Sequence, residues 1–348
     1  MINHVLVTGA GGYIGSVLVP KLLNKGYRVT AIDRYFFGTD KLPEHERLKI
    51  VKEDCRLLTE AHFEDIDAVI DLVAISNDPS GELFQEATYE INHLARANTA
   101  RLAKKTGVRR YVLPSSCSLY GFQDDGVIVG EESKTNPLTT YAKANELAER
   151  DVLPLADATF TAVVIRQATV YGYSPRMRFD LAINGMTHGA WETGVIPLMR
   201  DGSQWRPMVH VQDTTDVMCL LLEADETAIN GQIFNVGSER NNYQLGRLAE
   251  EIANALPIDV TISWYGDPDH RSYRVAFDKI EKALNWKAKW TAADGALEIY
   301  DALVTGKLVK NEQTITLGWY QELAKWHKII KECELYGGMI SGIGARIS

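Results

Sequence analysis

The chain has 348 residues, 45% of them hydrophobic and 24% charged, with a formal net charge of −9 and a pI near 5.5. The length suits a large α/β domain with a smaller second lobe. The composition is that of a globular protein, and the acidic balance argues against a nucleic-acid or anionic-membrane surface as the main partner. No apolar run approaches the roughly 20 residues of a membrane span, and the N-terminus passes straight into the first strand, so no membrane partner and a cytoplasmic location are expected. Cys55, Cys117, Cys219 and Cys333 are scattered without metal-type or redox-type spacing, which predicts free thiols and no metal site.

The first apolar run begins at Val5 and breaks into Thr8-Gly-Ala-Gly-Gly-Tyr-Ile-Gly15, then continues as helix-compatible sequence from Ser16 to Leu23. That is a strand, a tight turn and a helix N-terminus. Gly9, Gly12 and Gly15 stand three apart, suited in turn to a sharp bend, a close approach of backbone to phosphate, and tight helix-on-strand packing. The free N–H groups at the start of the helix hold negative charge, and Tyr13 and Ile14 complete the turn. Glycines alone could mark a turn without a ligand. A second strand, Arg28-Val-Thr-Ala-Ile-Asp33, ends in a carboxylate about twenty residues on, where a ribose 2′-OH would be bound. Asp33 would repel a 2′-phosphate and so favours NAD over NADP, while Arg34 beside it pulls the other way.

Further apolar runs follow at Leu48 to Val51, Ala68 to Val73, Tyr111 to Leu113 and Thr161 to Ile165, each trailed by a helical pattern. This alternation predicts a doubly wound parallel Rossmann sheet covered by helices on both faces. Ligands of such sheets bind outside the carboxyl ends of the strands. Asp54, with Cys55, is therefore placed toward the adenine, and Leu72-Val-Ala-Ile-Ser76, including Ala74, toward the cofactor's other side. From about Tyr173 the pattern changes to frequent Gly, Pro, Trp and Arg with short strands, which predicts a smaller mixed α/β substrate-binding lobe. The division expected is 1–172 with about 208–238 for the first domain, and about 173–207 with 239–334 for the second. The glycine-rich 335–348 is expected to be a flexible tail.

The motifs Thr8 to Gly15, Ser115-Ser-Cys-Ser-Leu-Tyr-Gly121, Tyr141 opening a helix, Arg166-Gln-Ala-Thr-Val-Tyr-Gly172, Trp205-Arg-Pro-Met-Val-His-Val-Gln-Asp213 and Phe234-Asn-Val-Gly237 together resemble the extended short-chain dehydrogenases/reductases that act on nucleotide sugars. The resemblance spans almost the whole chain. It implies NAD as cofactor, a nucleotide-diphosphate sugar as substrate, Tyr141 as the base and Ser116 as its partner at the sugar hydroxyl. Hydride can leave a sugar carbon only if the hydroxyl proton leaves too, so a phenolate within hydrogen-bond reach makes chemical sense.

Two departures bear on the chemistry. The family normally has Lys four residues after the catalytic Tyr, binding the nicotinamide ribose and lowering the Tyr pKa; here Tyr141-Ala-Lys-Ala-Asn145 puts Asn at that position. On a helix i+4 lies about 40° around from i and i+2 about 200°, so Lys143 faces away. Asn145 can hydrogen-bond a ribose but supplies no charge, and a Tyr with a pKa near 10 is a sluggish base at neutral pH. Either another cation approaches the site or turnover is slow. Second, family members that dehydrate the sugar carry Asp-Glu where this chain has Cys117-Ser118, which disfavours dehydration.

The resemblance further implies diphosphate contacts from Arg206 and from Arg271 or Arg274. Arg176, Arg178 and Asn184 could face sugar or phosphate, and Ser118 the sugar. Paired guanidinium groups suit phosphate oxygens through bidentate bonding. The stretches 81–105 and 141–154 correspond to the pair through which relatives dimerise, and Ala95, Ala97, Ala100 and Ala103 would allow close helix approach. The expected activity is epimerisation through a transient keto-sugar, with C4 oxidation. The alternatives are a dehydrogenase or ketoreductase with net redox, and a catalytically weak binding protein.

Overall fold

The computed structural model describes residues 2–124, 126–199, 202–266 and 271–334. The segment 335–348, expected as a tail, lies outside the described residues.

Seven strands make one parallel sheet: β1 (His4–Thr8), β2 (Arg28–Asp33), β3 (Leu48–Lys52), β4 (Ala68–Asp71), β5 (Arg110–Ser116), β6 (Thr161–Gln167) and β7 (Ile233–Val236). Their order is β7-β6-β5-β4-β1-β2-β3. β1, β4 and β6 are buried along their whole length, the reason they read as unbroken apolar runs rather than as alternation. β3, at the sheet edge, has no fully buried residue. The chain order reverses between β1 and β4, which opens a crevice at their carboxyl ends.

The main helices of the chain are α1 (Gly15–Asn24), α2 (Asp78–Leu83), α3 (Arg96–Lys105), α4 (Thr140–Val152), α5 (Ala182–Thr193), α6 (Val211–Glu223), α7 (Leu245–Ala255), α8 (Ala292–Val304) and α9 (Thr316–Cys333). A π-helical turn, Glu90–Ala95, leads into α3. Ala95, Ala97, Ala100 and Ala103 are all at most 4% exposed, and Ala100 and Ala103 pack within the subunit in one cluster with Ala148 and Val152 of α4. The exposed apolar residues beside them are Leu83 and Leu94.

The second lobe has three small sheets. Thr169–Tyr171, Trp205–His210 and Asn242–Gln244 form one, Val195–Met199 pairs with Thr261–Tyr265, and Ile128–Val129 pairs with Arg274–Val275. Helices α5, α7 and α8 close a separate apolar core beneath them around Ile183, Leu248 and Ala296.

Candidate active site

A cleft of about 1190 Å³ runs along the carboxyl ends of the central strands and is walled by the second lobe. That exceeds the roughly 300–1,000 Å³ of a pocket for one drug-sized ligand.

Its floor is the glycine turn. Gly9 has φ +64°, and a Cβ there would come 2.7 Å from the Val73 nitrogen. A Cβ on Gly15 would sit 2.5 Å from the Gly9 and Ala10 carbonyl oxygens, so α1 can approach β1 this closely only with glycine. Gly12, Tyr13, Ile14 and Gly15 line the cleft, and the Tyr13 hydroxyl is fixed by donating to the Gly172 carbonyl at 2.6 Å. Asp33 closes β2 and accepts from the backbone N–H of Gly11 (3.1 Å) and Tyr35 (2.7 Å). Burial raises its pKa against those bonds. Asp54 is gripped by Arg56 (2.8 Å) and Arg34 (3.0 Å), and the Arg56 hydrogen bond holds its carboxyl down at about 2. Arg34 therefore serves Asp54. The Cys55 thiol, pushed up to about 12 by burial, and Leu72 and Ala74 complete this side of the lining.

Tyr141 enters from the start of α4, where Thr139 caps the helix by accepting from the Ala142 N–H at 3.2 Å. α2 lies directly against it, since a Cβ on Gly81 would be 3.3 Å from the Tyr141 Cβ. Ser116 closes β5 and lines the cleft with Tyr141, its hydroxyl accepting from the Ser118 N–H at 3.1 Å. Burial raises the Tyr141 pKa and Asp78 adds to the rise; Arg96, Ser116 and Arg178 oppose it. Ser118 lines the cleft with a buried Oγ that has no hydrogen-bond partner. Cys117 does not reach the cleft: it is fully buried and its thiol donates to the Arg166 carbonyl at 3.2 Å.

Three expected residues are elsewhere. Asn145 is 1% exposed, absent from the cleft lining, and spends its amide on the Tyr141 carbonyl (2.9 Å) and the Arg96 guanidinium (2.9 Å), so it does not face a ribose. Asn184 is fully buried beneath the site, accepting from the Gly172 N–H and donating to the Tyr13 hydroxyl and the Arg178 carbonyl; it braces the wall and reaches no phosphate. Arg274 lies over the Trp205 ring, outside the lining, while Arg271 lines the cleft and pairs with Asp78.

The remaining arginines differ in their commitments. Arg178 is bound through two nitrogens to Asp180 (3.0 and 2.9 Å) and to Ser76. Arg206 lines the cleft above the Tyr273 ring and donates to the Trp205 and Arg271 carbonyls. Arg176 stacks 3.6 Å from the Phe37 centroid and donates Nη2 to Thr316 at 2.9 Å, leaving its buried Nε and Nη1 without partners. Burial, then Arg178, bring its pKa down to about 10.

Sequence reasoning missed Arg96, Asp78, Gln204 and helix α9. Gln204 lines the cleft at 4% exposure with both amide atoms unpartnered, and Tyr320, Leu323, Ala324 and His327 of α9 form part of the wall. Arg96 alone left a signal, a charge set among buried-type alanines. Among the described residues no cluster could hold a metal ion, and no helix is long and apolar enough to cross a membrane.

The chain is similar to several known proteins. UDP-arabinose 4-epimerase 1 of Arabidopsis thaliana is 28% identical over 345 residues, covering 85% of this chain and 78% of the relative. UDP-glucuronic acid decarboxylase 6 of the same plant is 28% identical over 312 residues, covering 84% and 86%. The structure of MoeE5 in complex with UDP-glucuronic acid and NAD superimposes with a TM-score of 0.78 at 25% identity, covering 87% of this chain and all of that one. The model of the NAD dependent epimerase/dehydratase family matches residues 5–237, and the chain belongs to that family.

Proposed function

We propose that the protein is an NAD-dependent nucleotide-sugar epimerase that inverts a sugar carbon, C4, through a transient keto-sugar. The observation that carries this reading is that Tyr141 and Ser116 line the same cleft as the glycine turn and Asp33, while Cys117, at the position where water loss would need an acid, is sealed away. Relatives named as 4-epimerases support the choice of carbon.

The residues present fit NAD. The Gly9–Gly15 turn offers bare backbone at the mouth of α1, Asp33 has lone pairs left for a ribose diol, and the unpartnered N–H groups of Arg176 await an anion. Leu72 and Ala74 flank the same groove. NAD held there would supply a reversible hydride acceptor for the sugar carbon. The chain's own part is proton handling and restraint. Tyr141 takes the hydroxyl proton as hydride departs and gives it back, and Ser116 orients the hydroxyl. Ser118 has a free buried oxygen for a second sugar hydroxyl. Arg206 and Arg271 hold the diphosphate, and the Gln204 amide, a donor and an acceptor side by side, suits a nucleobase edge. A cytoplasmic homodimer completes the proposal. The four free cysteines support the compartment, and exposed Leu83 and Leu94 support an interface on the outer face of the 78–105 helices.

The test is incubation with a panel of UDP-, GDP-, CDP- and dTDP-sugars, followed by mass and stereochemical analysis. The expected product has unchanged mass and inverted C4, with no net absorbance at 340 nm, and Tyr141→Phe lowers the rate by about 100-fold or more. A product two mass units lighter, formed with stoichiometric NADH, would replace this reading by net dehydrogenation.

A further inference from the structure

Helix α3 and the residue before it turn an almost wholly small-residue face inward, with Ala95, Ala97, Ala100 and Ala103 at most 4% exposed; into that face α3 sets Arg96, 1% exposed. A guanidinium so deep must be held by hydrogen bonds and a countercharge. The nearest carboxylate is Asp71, at the end of β4. A purely structural ion pair would turn the planar fork onto that carboxylate, where two parallel N–H bonds are available. Here it does not. Only Nε approaches, 3.9 Å from Oδ2 and without a hydrogen bond, while the Asp71 oxygens are taken by the hydroxyls of Thr8 and Tyr111. The fork points the other way. Nη2 donates to the backbone carbonyls of Asp71 (3.0 Å) and Pro114, at the ends of the two strands that flank the site, and Nη1 donates to Asn145 Oδ1 at 2.9 Å. The same Asn145 amide donates to the Tyr141 carbonyl at 2.9 Å. A continuous chain therefore runs from a buried cation to the residue that the proposed function needs as its base.

We infer that Arg96, acting through Asn145, is the positioning residue for Tyr141: it fixes the first turn of α4 against the strand ends and sets a buried positive charge beside that turn. The charge arrives from the neighbouring helix instead of from position 145 itself. This rests on Tyr141 being the base. The other groups facing Tyr141 are Asp78 from α2, which opposes deprotonation, and Ser116 from β5 and Arg178 from the second lobe, which favour it; Glu82 is held off by accepting from the Thr140 N–H. Arg178 is neutralised by its two bonds to Asp180, and Arg96 stands before it among the favourable charges acting on the phenol. The Asp71 countercharge offsets part of the effect. Its oxygens stay with Thr8 and Tyr111.

The test is a ¹³C-tyrosine NMR titration of the full chain, with the Tyr141 signal assigned by its loss in Tyr141→Phe. Arg96→Gln, which retains a hydrogen bond to Asn145 but no charge, is expected to raise the Tyr141 midpoint by about one pH unit or more. The epimerisation rate at neutral pH should fall by about tenfold and recover as the pH is raised. Arg96→Lys should hold the midpoint within about half a unit, and Asn145→Lys added to Arg96→Gln should bring it back. A folded Arg96→Gln protein whose Tyr141 midpoint and pH–rate profile are unmoved overturns the inference. So does Arg96→Lys shifting as far as Arg96→Gln, and that variant decides alone if Arg96→Gln does not fold. The titration needs no substrate. A shifted midpoint in a protein that converts no nucleotide sugar keeps this inference and removes the proposed function; an unmoved midpoint in an active epimerase does the reverse.

Discussion

Arg176 shows how a single side chain can be prepared for a ligand at a cost to the free protein. Two of its buried N–H groups are unpartnered, and an unsatisfied buried donor costs roughly 1–3 kcal/mol. On the proposed function, an anion bound in the cleft regains that loss. Arg176→Met is therefore expected to leave thermal stability without ligand within about 1 kcal/mol of wild type and to weaken NAD binding by about tenfold or more, one charged hydrogen bond being worth roughly 1.5–3 kcal/mol. Calorimetric titration beside thermal unfolding reads both; equal affinity in the two proteins would assign the arginine to the wall alone. At this scale the sequence was informative where chemistry follows chain order. Gly9, Asp33, Ser116 and Tyr141 could be placed because each closes or opens an element, and elements ending at the same side of a parallel sheet share a crevice. Asn145 could be recognised as a substitution, but its partner Arg96 lies 49 residues away on another helix, and no local pattern links them. Arg271 could not be told from Arg274 because they sit three residues apart in irregular sequence, where there is no fixed period to say which side chain turns inward.

Among the elements, the π-turn Glu90–Ala95 matters most for the site. Such turns insert an extra residue into a helix and rotate everything that follows, and they recur at functional positions. Here the turn is pinned by Asn92, fully buried, which donates to the Ile75 carbonyl at 3.0 Å and accepts from the Ile75 N–H at 2.8 Å. It thereby joins the start of α3 to the loop after β4, and the next residue beyond the turn is Arg96. Asn92→Leu leaves both Ile75 groups buried and unpaired, so a loss of about 2–4 kcal/mol in urea unfolding is expected. An unchanged unfolding midpoint would mean that water or a shifted backbone satisfies the loop. The main strands were legible as apolar runs between turn residues. The π-turn was not, because Glu90-Ile-Asn-His-Leu-Ala95 fits an ordinary helical pattern and only the tertiary demand of the Ile75 loop widens it. The alanines at 100 and 103 were legible as small residues, and they let α3 pack with Ala148 and Val152 of α4 over the sheet.

At the scale of the molecule, the cleft is built by pieces distant in sequence. The glycine turn comes from the first 15 residues, the arginines from two excursions of the second lobe, and one wall from α9. α9 is anchored to the loop after β2: the Trp319 indole donates to the Phe36 carbonyl at 2.7 Å, and Tyr320 packs on Phe36 and Phe37, the latter also stacked by Arg176. Trp319→Ala is expected to speed NAD dissociation by about tenfold, the equivalent of one lost hydrogen bond and its packing, with a small effect on global stability since α9 buries only Thr316 fully. Stopped-flow displacement measures it, and an unchanged off-rate would show that α9 is passive. The anchoring pair is separated by 283 positions. During synthesis the Rossmann core can emerge and fold while the wall beside it does not yet exist. The cofactor groove therefore acquires its final shape only after residue 327 has left the ribosome, and truncations or frameshifts late in the coding sequence should behave as cofactor-retention defects in an otherwise folded protein.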